Sequence, residues 1–183
     1  MMTIWKSMIQ SKLDYCSQLW CPTDQSSIGR IESVARNFTA QITGLEDLGY
    51  WERLKTLRLY SQERRRERYR IIFIWKVLQG YVQGYSITEQ QSPRRGRMVT
   101  IAKYPSQAPA AVRRAREASL SVHGAQLFNL LPRDIRDMNT GTVEHFKGRL
   151  DAWLESIPDQ PTTAGRQRAA ATNSLIDQAA YSS

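Results

Sequence analysis

Long apolar runs are missing from this sequence. The longest, Ile71-Ile72-Phe73-Ile74-Trp75, stops at five residues, far short of the roughly 18 that a membrane-spanning helix needs. The opening MMTIWKSMIQSK interrupts its apolar stretch at Lys6, Ser7 and Gln10, too early for the apolar core of a secretory signal. Cysteine is scarce, with only Cys16 and Cys21 in 183 residues, which excludes a disulfide scaffold and suits a reducing, intracellular compartment. With His123 and His145 the only histidines, the available Cys and His fit no structural zinc spacing.

Catalytic patterns are equally scarce. There is no Asp-Asp pair, no phosphate-binding G-x-x-x-x-G-K-[ST] loop, no G-x-S-x-G elbow and no G-x-G-x-x-G turn. Metal-dependent phosphoryl or nucleotidyl transfer needs carboxylates converging on magnesium, and Asp14, Asp134, Asp137 and Asp151 are scattered along the chain. The expectation is a chain with no enzymatic turnover and no cofactor of its own.

What is abundant is arginine, in one place. The net charge of +9 comes from 26 Lys and Arg against 17 Asp and Glu. Residues 53–116 hold 16 of those cations and only Glu63, Glu67 and Glu89, a surplus of 13, while the segments on either side are each slightly acidic. Concentrated positive charge attracts polyanions, by Coulomb attraction and by release of condensed counterions. Guanidinium matches phosphate bidentately, which lysine does not. The candidate nucleic-acid-binding residues are therefore Arg64, Arg65, Arg66, Arg68 and Arg70, with Arg94, Arg95, Arg97, Arg113, Arg114 and Arg116. Tyr69 and Tyr81 are weaker candidates for base stacking, since each reads more readily as an ordinary core or surface tyrosine.

Apolar periodicity predicts an all-α fold, a small helical bundle with a long basic loop and a disordered C-terminal tail. A first helix is expected over 4–20, with Ile4, Met8, Tyr15 and Leu19 near one face, Trp5, Ile9, Cys16 and Trp20 beside them, and Pro22 as its stop. Ser26 or Ser27 would cap a second, with Ile28, Ile31, Val34, Ala35, Phe38 and Ile42 in its stripe and Gly44 at its end. A short helix at 50–58 precedes the longest, 62–80, capped by Ser61. The first half of that helix is nearly all arginine and its second half nearly all apolar, so it is expected to plant one end in the core and project the other as a charged rod. Segregation along the axis, rather than around it, argues against a membrane-surface helix. Residues 81–119 read as a loop or linker, punctuated by Gly80, Gly84, Pro93, Gly96, Pro105 and Pro109. Helical patterns return at 120–130 and at 143–155, the latter capped by Thr142, making a C-terminal pair within 120–157. The Gln-, Thr-, Ala- and Ser-rich residues 158–183 are expected to be disordered.

Ser11-Lys12-Leu13-Asp14-Tyr15-Cys16-Ser17-Gln18-Leu19-Trp20 resembles the S-[KR]-L-[DE]-Y-C-S-x-[LV]-W segment that follows the polymerase palm in LINE-type, non-LTR retrotransposon reverse transcriptases of the jockey/CR1 kind. Further similarities follow in the family's order. Arg36-Asn37-Phe38-Thr39 with Ile42-Thr43-Gly44-Leu45 resembles R-x-F-T…I-x-G-L, and Leu48 to Leu54 resembles L-x-Y-x-E-R-L. Leu57 to Leu59 with Gln62-Glu63-Arg64-Arg65 is similar to L-x-L-x-x-x-E-x-R-R, and Lys76 to Gly80 to K-x-L-x-G. Leu131-Pro132 with Phe146-Lys147 and Leu150 resembles L-P…F-K-x-x-L, although the family's W-N before L-P reads Phe128-Asn129 here. The resemblance spans about residues 4–155.

That resemblance implies a helical thumb and post-polymerase region, thumb-like over 1–80, from an RNA-directed DNA polymerase. It implies contact with RNA or DNA backbone at low sequence specificity, upstream polymerase domains as possible partners, and a nuclear setting. The palm aspartates and their Mg2+ would lie upstream of what this chain contains, so it reads as a catalytically incomplete C-terminal fragment. Two other readings stand beside it: a protein-interaction module docking an acidic partner or the polymerase palm, and a non-functional remnant of a mobile element.

Overall fold

The computed structural model describes residues 2–22, 24–105, 107–139, 141–161 and 173–181. The described chain is mainly α-helical, with one two-stranded antiparallel sheet. No helix among the described residues is long and apolar enough to cross a membrane.

The first helical run joins α1 (Met2–Ile4), a π-helical stretch π1 (Trp5–Gln10) and α2 (Ser11–Asp14). Positions five apart in an α-helix point about 140° away from one another, and the wider π turn closes much of that angle. Trp5 and Gln10 consequently both face inward and are buried. The indole packs on Phe38, ring centroids 4.8 Å apart. The expected helix over 4–20 thus ends earlier, at Asp14, where Tyr15 turns extended and Cys16 adopts a left-handed φ of 51°. Of the apolar positions expected along it, Trp5 is buried, whereas Ile4, Met8, Tyr15 and Leu19 are exposed.

Asp24, rather than Ser26 or Ser27, caps α3 (Gln25–Ala40), accepting from the Ser27 amide at 2.8 Å. α4 (Tyr50–Leu57) begins where the Glu52 carboxylate accepts from the Gly49 amide. Trp5, Ala35, Tyr50 and Leu54 form a small core between these elements.

Ser61 caps α5 (Gln62–Leu78) as expected, its Oγ accepting from the Arg64 amide at 3.1 Å. This helix is buried on most of its circumference along its whole length. Its apolar half supplies Ile71, Ile74 and Trp75 to the main core, where they meet Leu127, Phe128, Phe146, Leu150 and Leu154. Trp75 and Phe146 stack at 4.7 Å with their planes 12° apart.

Residues 81–119 are not one loop. They contain strands β1 (Glu89–Ser92) and β2 (Gly96–Val99), paired from Glu89–Val99 to Ser92–Gly96, and helix α6 (Ala110–Glu117). Gly96, at φ +69°, lies where a Cβ would come within 2.7 Å of the Asp137 carboxylate. Four-residue strands carry no readable alternation, and this hairpin depends on a non-local partner. The Asn129 amide donates to Val99 O and accepts from Val99 N, both at 2.8 Å, as a neighbouring strand would.

A second π stretch, π2 (Leu120–Gly124), runs into α7 (Ala125–Asn129) within the segment expected to be helical. Gly124 leaves room for the Leu120 side chain of its own π turn, since a Cβ there would meet Leu120 Cδ1 at 2.7 Å, with Ile74 Cδ1 of α5 at 3.4 Å. After Pro132 comes the short α8 (Arg133–Arg136), then α9 (Val143–Glu155), capped by Thr142 as expected. The disordered tail is corrected in part. Residues 158–161 and 173–181 are ordered against the body, and α10 (Leu175–Tyr181) buries Leu175 in the main core. Residues 162–172, 182 and 183 of that expected tail lie outside the described residues.

Candidate nucleic-acid interface

The arginine half of α5 does not project. Arg64 and Arg70 are fully buried, and Arg66 is 4% exposed. Each inward guanidinium meets carbonyls at or just beyond the carboxyl end of another helix. Arg64 donates to Ile157 O and Pro158 O beyond α9 and to Gln178 Oε1. Arg66 donates to Leu13 O near the end of α2 and to Trp20 O, with its guanidinium 4.0 Å above the Trp20 ring. Arg70 donates to Ala118 O, just past α6, at 2.8 Å, and its Nη1 lies 3.1 Å from His123 Nδ1.

Two further arginines repeat the device. Arg97 donates to Leu78 O, the last residue of α5, and Arg136 to Asn129 O, the last of α7. Helix carboxyl ends carry unsatisfied carbonyls and partial negative charge, so a planar fork with several donors satisfies them where one lysine would not. Burial pushes the Arg66 and Arg70 side chains below their ordinary pKa.

Arg65 and Arg68 take carboxylates instead. Arg65 bonds Asp14 through Nε and Nη2, at 2.9 and 2.7 Å. Arg68 bonds Asp151 through Nε and Nη2, at 2.5 and 2.8 Å, tying α5 to α9. Burial acts to lower both guanidinium pKa values, and the bonds to Asp14 and Asp151 outweigh it, so both are raised. Tyr69 belongs to the same network, donating to Asp14 at 3.1 Å, with the Arg65 and Arg68 guanidiniums 5.3 and 5.9 Å from its ring. The partners come from distant parts of the chain, so the local imbalance around residues 63–70 does not measure free charge.

The loop arginines divide differently. Arg97 is buried in an ion pair with Glu89 at 2.9 Å and bonds Asn139. Arg94 and Arg95 stand exposed in the turn between β1 and β2, and Arg113 and Arg114 stand exposed on α6. Arg116 is half-buried, 5.0 Å above the Tyr104 ring. Lys103, between the hairpin and α6, is exposed as well. Tyr81 is exposed beside Trp75 at 6.0 Å.

Sequence reasoning missed Asp14 and Asp151 as partners of α5, and it left His123 as an ordinary histidine. His123 is pushed down to about 4 by burial and by the adjacent Arg70, so it is neutral at neutral pH. Arg70 can only donate, so His123 Nδ1 is the acceptor and Nε2 carries the proton. Burial pushes the Cys21 thiol up, which leaves it protonated. Among the described residues, no group of three or more His, Cys, Asp or Glu is placed to hold a metal ion.

No family model matches the chain, and neither a curated protein nor a solved structure does.

Proposed function

We propose that this chain is a nucleic-acid-binding helical bundle, comparable to the thumb and post-polymerase region of a non-LTR retrotransposon reverse transcriptase. It binds sugar-phosphate backbone without catalysing a reaction on it. The observation that carries this reading is the set of exposed guanidiniums in residues 94–114, Arg94, Arg95, Arg113 and Arg114, with exposed Lys103 between them. The acids nearest in sequence offer them little: Glu89 is taken by Arg97, and Glu117 faces the cavity described below. The interface is thereby narrowed from eleven arginines to the hairpin turn and α6, with Arg116 at its edge. Phosphate contacts position a protein without reading sequence, so low sequence preference is expected. A salt titration of duplex and single-stranded binding tests it; affinity that ignores salt would falsify the reading.

A second reading, a protein-interaction module, draws on one specific observation. Ile4, Met8, Tyr15 and Leu19 are 55%, 62%, 76% and 58% exposed along the N-terminal segment. Large apolar side chains left in solvent mark a candidate docking surface where they join into a patch. Pull-down of candidate acidic proteins or polymerase domains, with duplex as competitor, separates the readings. Stoichiometric capture lost in Met8→Glu and unaffected by duplex favours this second one.

A further inference from the structure

A cavity of about 440 Å³ lies between α3, α5, π2 and the C-terminal segment, within the size range of small-molecule sites. Ile28 and Ile31 of α3, Val122 of π2 and Ile176 of α10 form an apolar wall. Glu63 and Glu67, one turn apart on α5, line it as well.

Both carboxylates meet neutral donors. Glu63 accepts from the Asn173 amide at 3.0 Å. Glu67, 1% exposed, accepts from the Leu175 amide at 3.1 Å and from Ser174 Oγ at 2.7 Å. Neither makes an ion pair with a Lys or Arg among the described residues. Burying a carboxylate without a countercharge is costly, and here two lie together beside a space large enough for a ligand. Arg66 also lines the cavity, but its terminal nitrogens are committed to Leu13 O and Trp20 O.

We propose that this cavity binds an organic ammonium ion with an apolar body, its charge between Glu63 and Glu67 and its body on the isoleucine wall. The site is independent of the nucleic-acid reading, because none of the exposed arginines lines it.

Isothermal titration of the full chain above about pH 8, where both carboxylates are ionised, with 2-phenylethylamine and with 2-phenylethanol tests this, since the two probes share a body and differ in charge. The expected result is saturable binding of the amine, with the alcohol at least tenfold weaker. Glu63→Gln keeps the acceptor for the Asn173 amide and removes the charge, so it should weaken the amine at least tenfold and leave the alcohol unchanged. Glu117→Gln, at an exposed position on the cavity rim, should weaken the amine less and serves if the first variant fails to fold. Equal affinity for the two probes, no binding of either, or amine affinity unchanged in the folded variants overturns the proposal.

Discussion

Arg65 and Asp14 form a two-pronged ion pair between α5 and α2, with both side chains partly buried. Beside it, Arg66 secures Leu13 O and Arg70 secures Ala118 O. These side chains hold together parts of the chain about fifty residues apart in sequence. Substitutions should therefore register as stability. Arg65→Gln is expected to cost about 1 kcal/mol, because its carboxylate partner keeps some solvent. Arg70→Gln should cost about 2 kcal/mol or more, because it strands a buried carbonyl and the His123 acceptor. Urea denaturation checks both, and an Arg70 variant as stable as the parent would refute the assignment.

The same geometry separates two sets of arginines that sequence alone put together. Replacing Arg94, Arg95, Arg113 and Arg114 with Gln should weaken nucleic-acid binding and leave the denaturation midpoint nearly unchanged. Each lost phosphate contact should lower the slope of log affinity against log salt by about 0.9 on duplex DNA. Four contacts then remove about 3 to 4 from that slope. If the fourfold variant binds as tightly as the parent, the exposed arginines are not the interface.

Much of the helical order was legible, because Ser61, Thr142 and Pro132 act locally through caps and a proline stop. The apolar faces of α5 and α9 likewise follow from spacing alone. What could not be read was orientation. Ile4 and Trp5 look alike in a helical pattern, and a π turn decides which faces the core. The arginines of α5 looked free because their partners, Asp14, Asp151 and the carboxyl ends of α2, α6 and α9, are brought to them only by tertiary structure. The hairpin was invisible for the same reason: the Asn129 amide that completes its edge lies 30 residues from Val99.

Stability should fall as pH rises toward about 8, and His123 should offset part of that slope below about 6.5. Burial raises Glu67 to about 8 and Glu63 to about 7, against about 4.3 for glutamate in an unfolded chain. Over the interval between those values the fold retains protons that the unfolded chain has released. Stability therefore falls as pH rises, and levels off above about 8. His123 does the reverse: with its pKa near 4 when folded and about 6.5 when unfolded, it removes stability as pH falls through that window. Between about pH 6.5 and 8 the carboxyl effect dominates, and the raised Cys21 thiol adds to it in the same direction toward pH 8. Denaturation midpoints should decline across that interval, and Glu67→Gln should flatten the decline. A midpoint that climbs from pH 6.5 to 8 contradicts the carboxyl assignment.

The C-terminal segment offers the sharpest separation between composition and structure. Its Gln-, Thr- and Ala-rich sequence predicts disorder, yet Leu175 is 2% exposed in the main core and its amide is held by Glu67. Asn173 joins in, donating through Nδ2 to Ser61 Oγ at 2.9 Å, so the segment also braces the cap of α5. Leu175→Ala should then cost about 2 to 3 kcal/mol, the range for deleting a buried leucine from a site that closes only in part. Ile176→Ala, half-buried at the cavity wall, should cost less than half as much. Hydrogen exchange supplies the second measurement: in Leu175→Ala the amides of Arg64 and Arg65 should exchange faster, because their acceptors at Ser61 lose their brace. A Leu175→Ala chain with unchanged midpoint and unchanged exchange at the start of α5 would mean that the segment does not dock in solution.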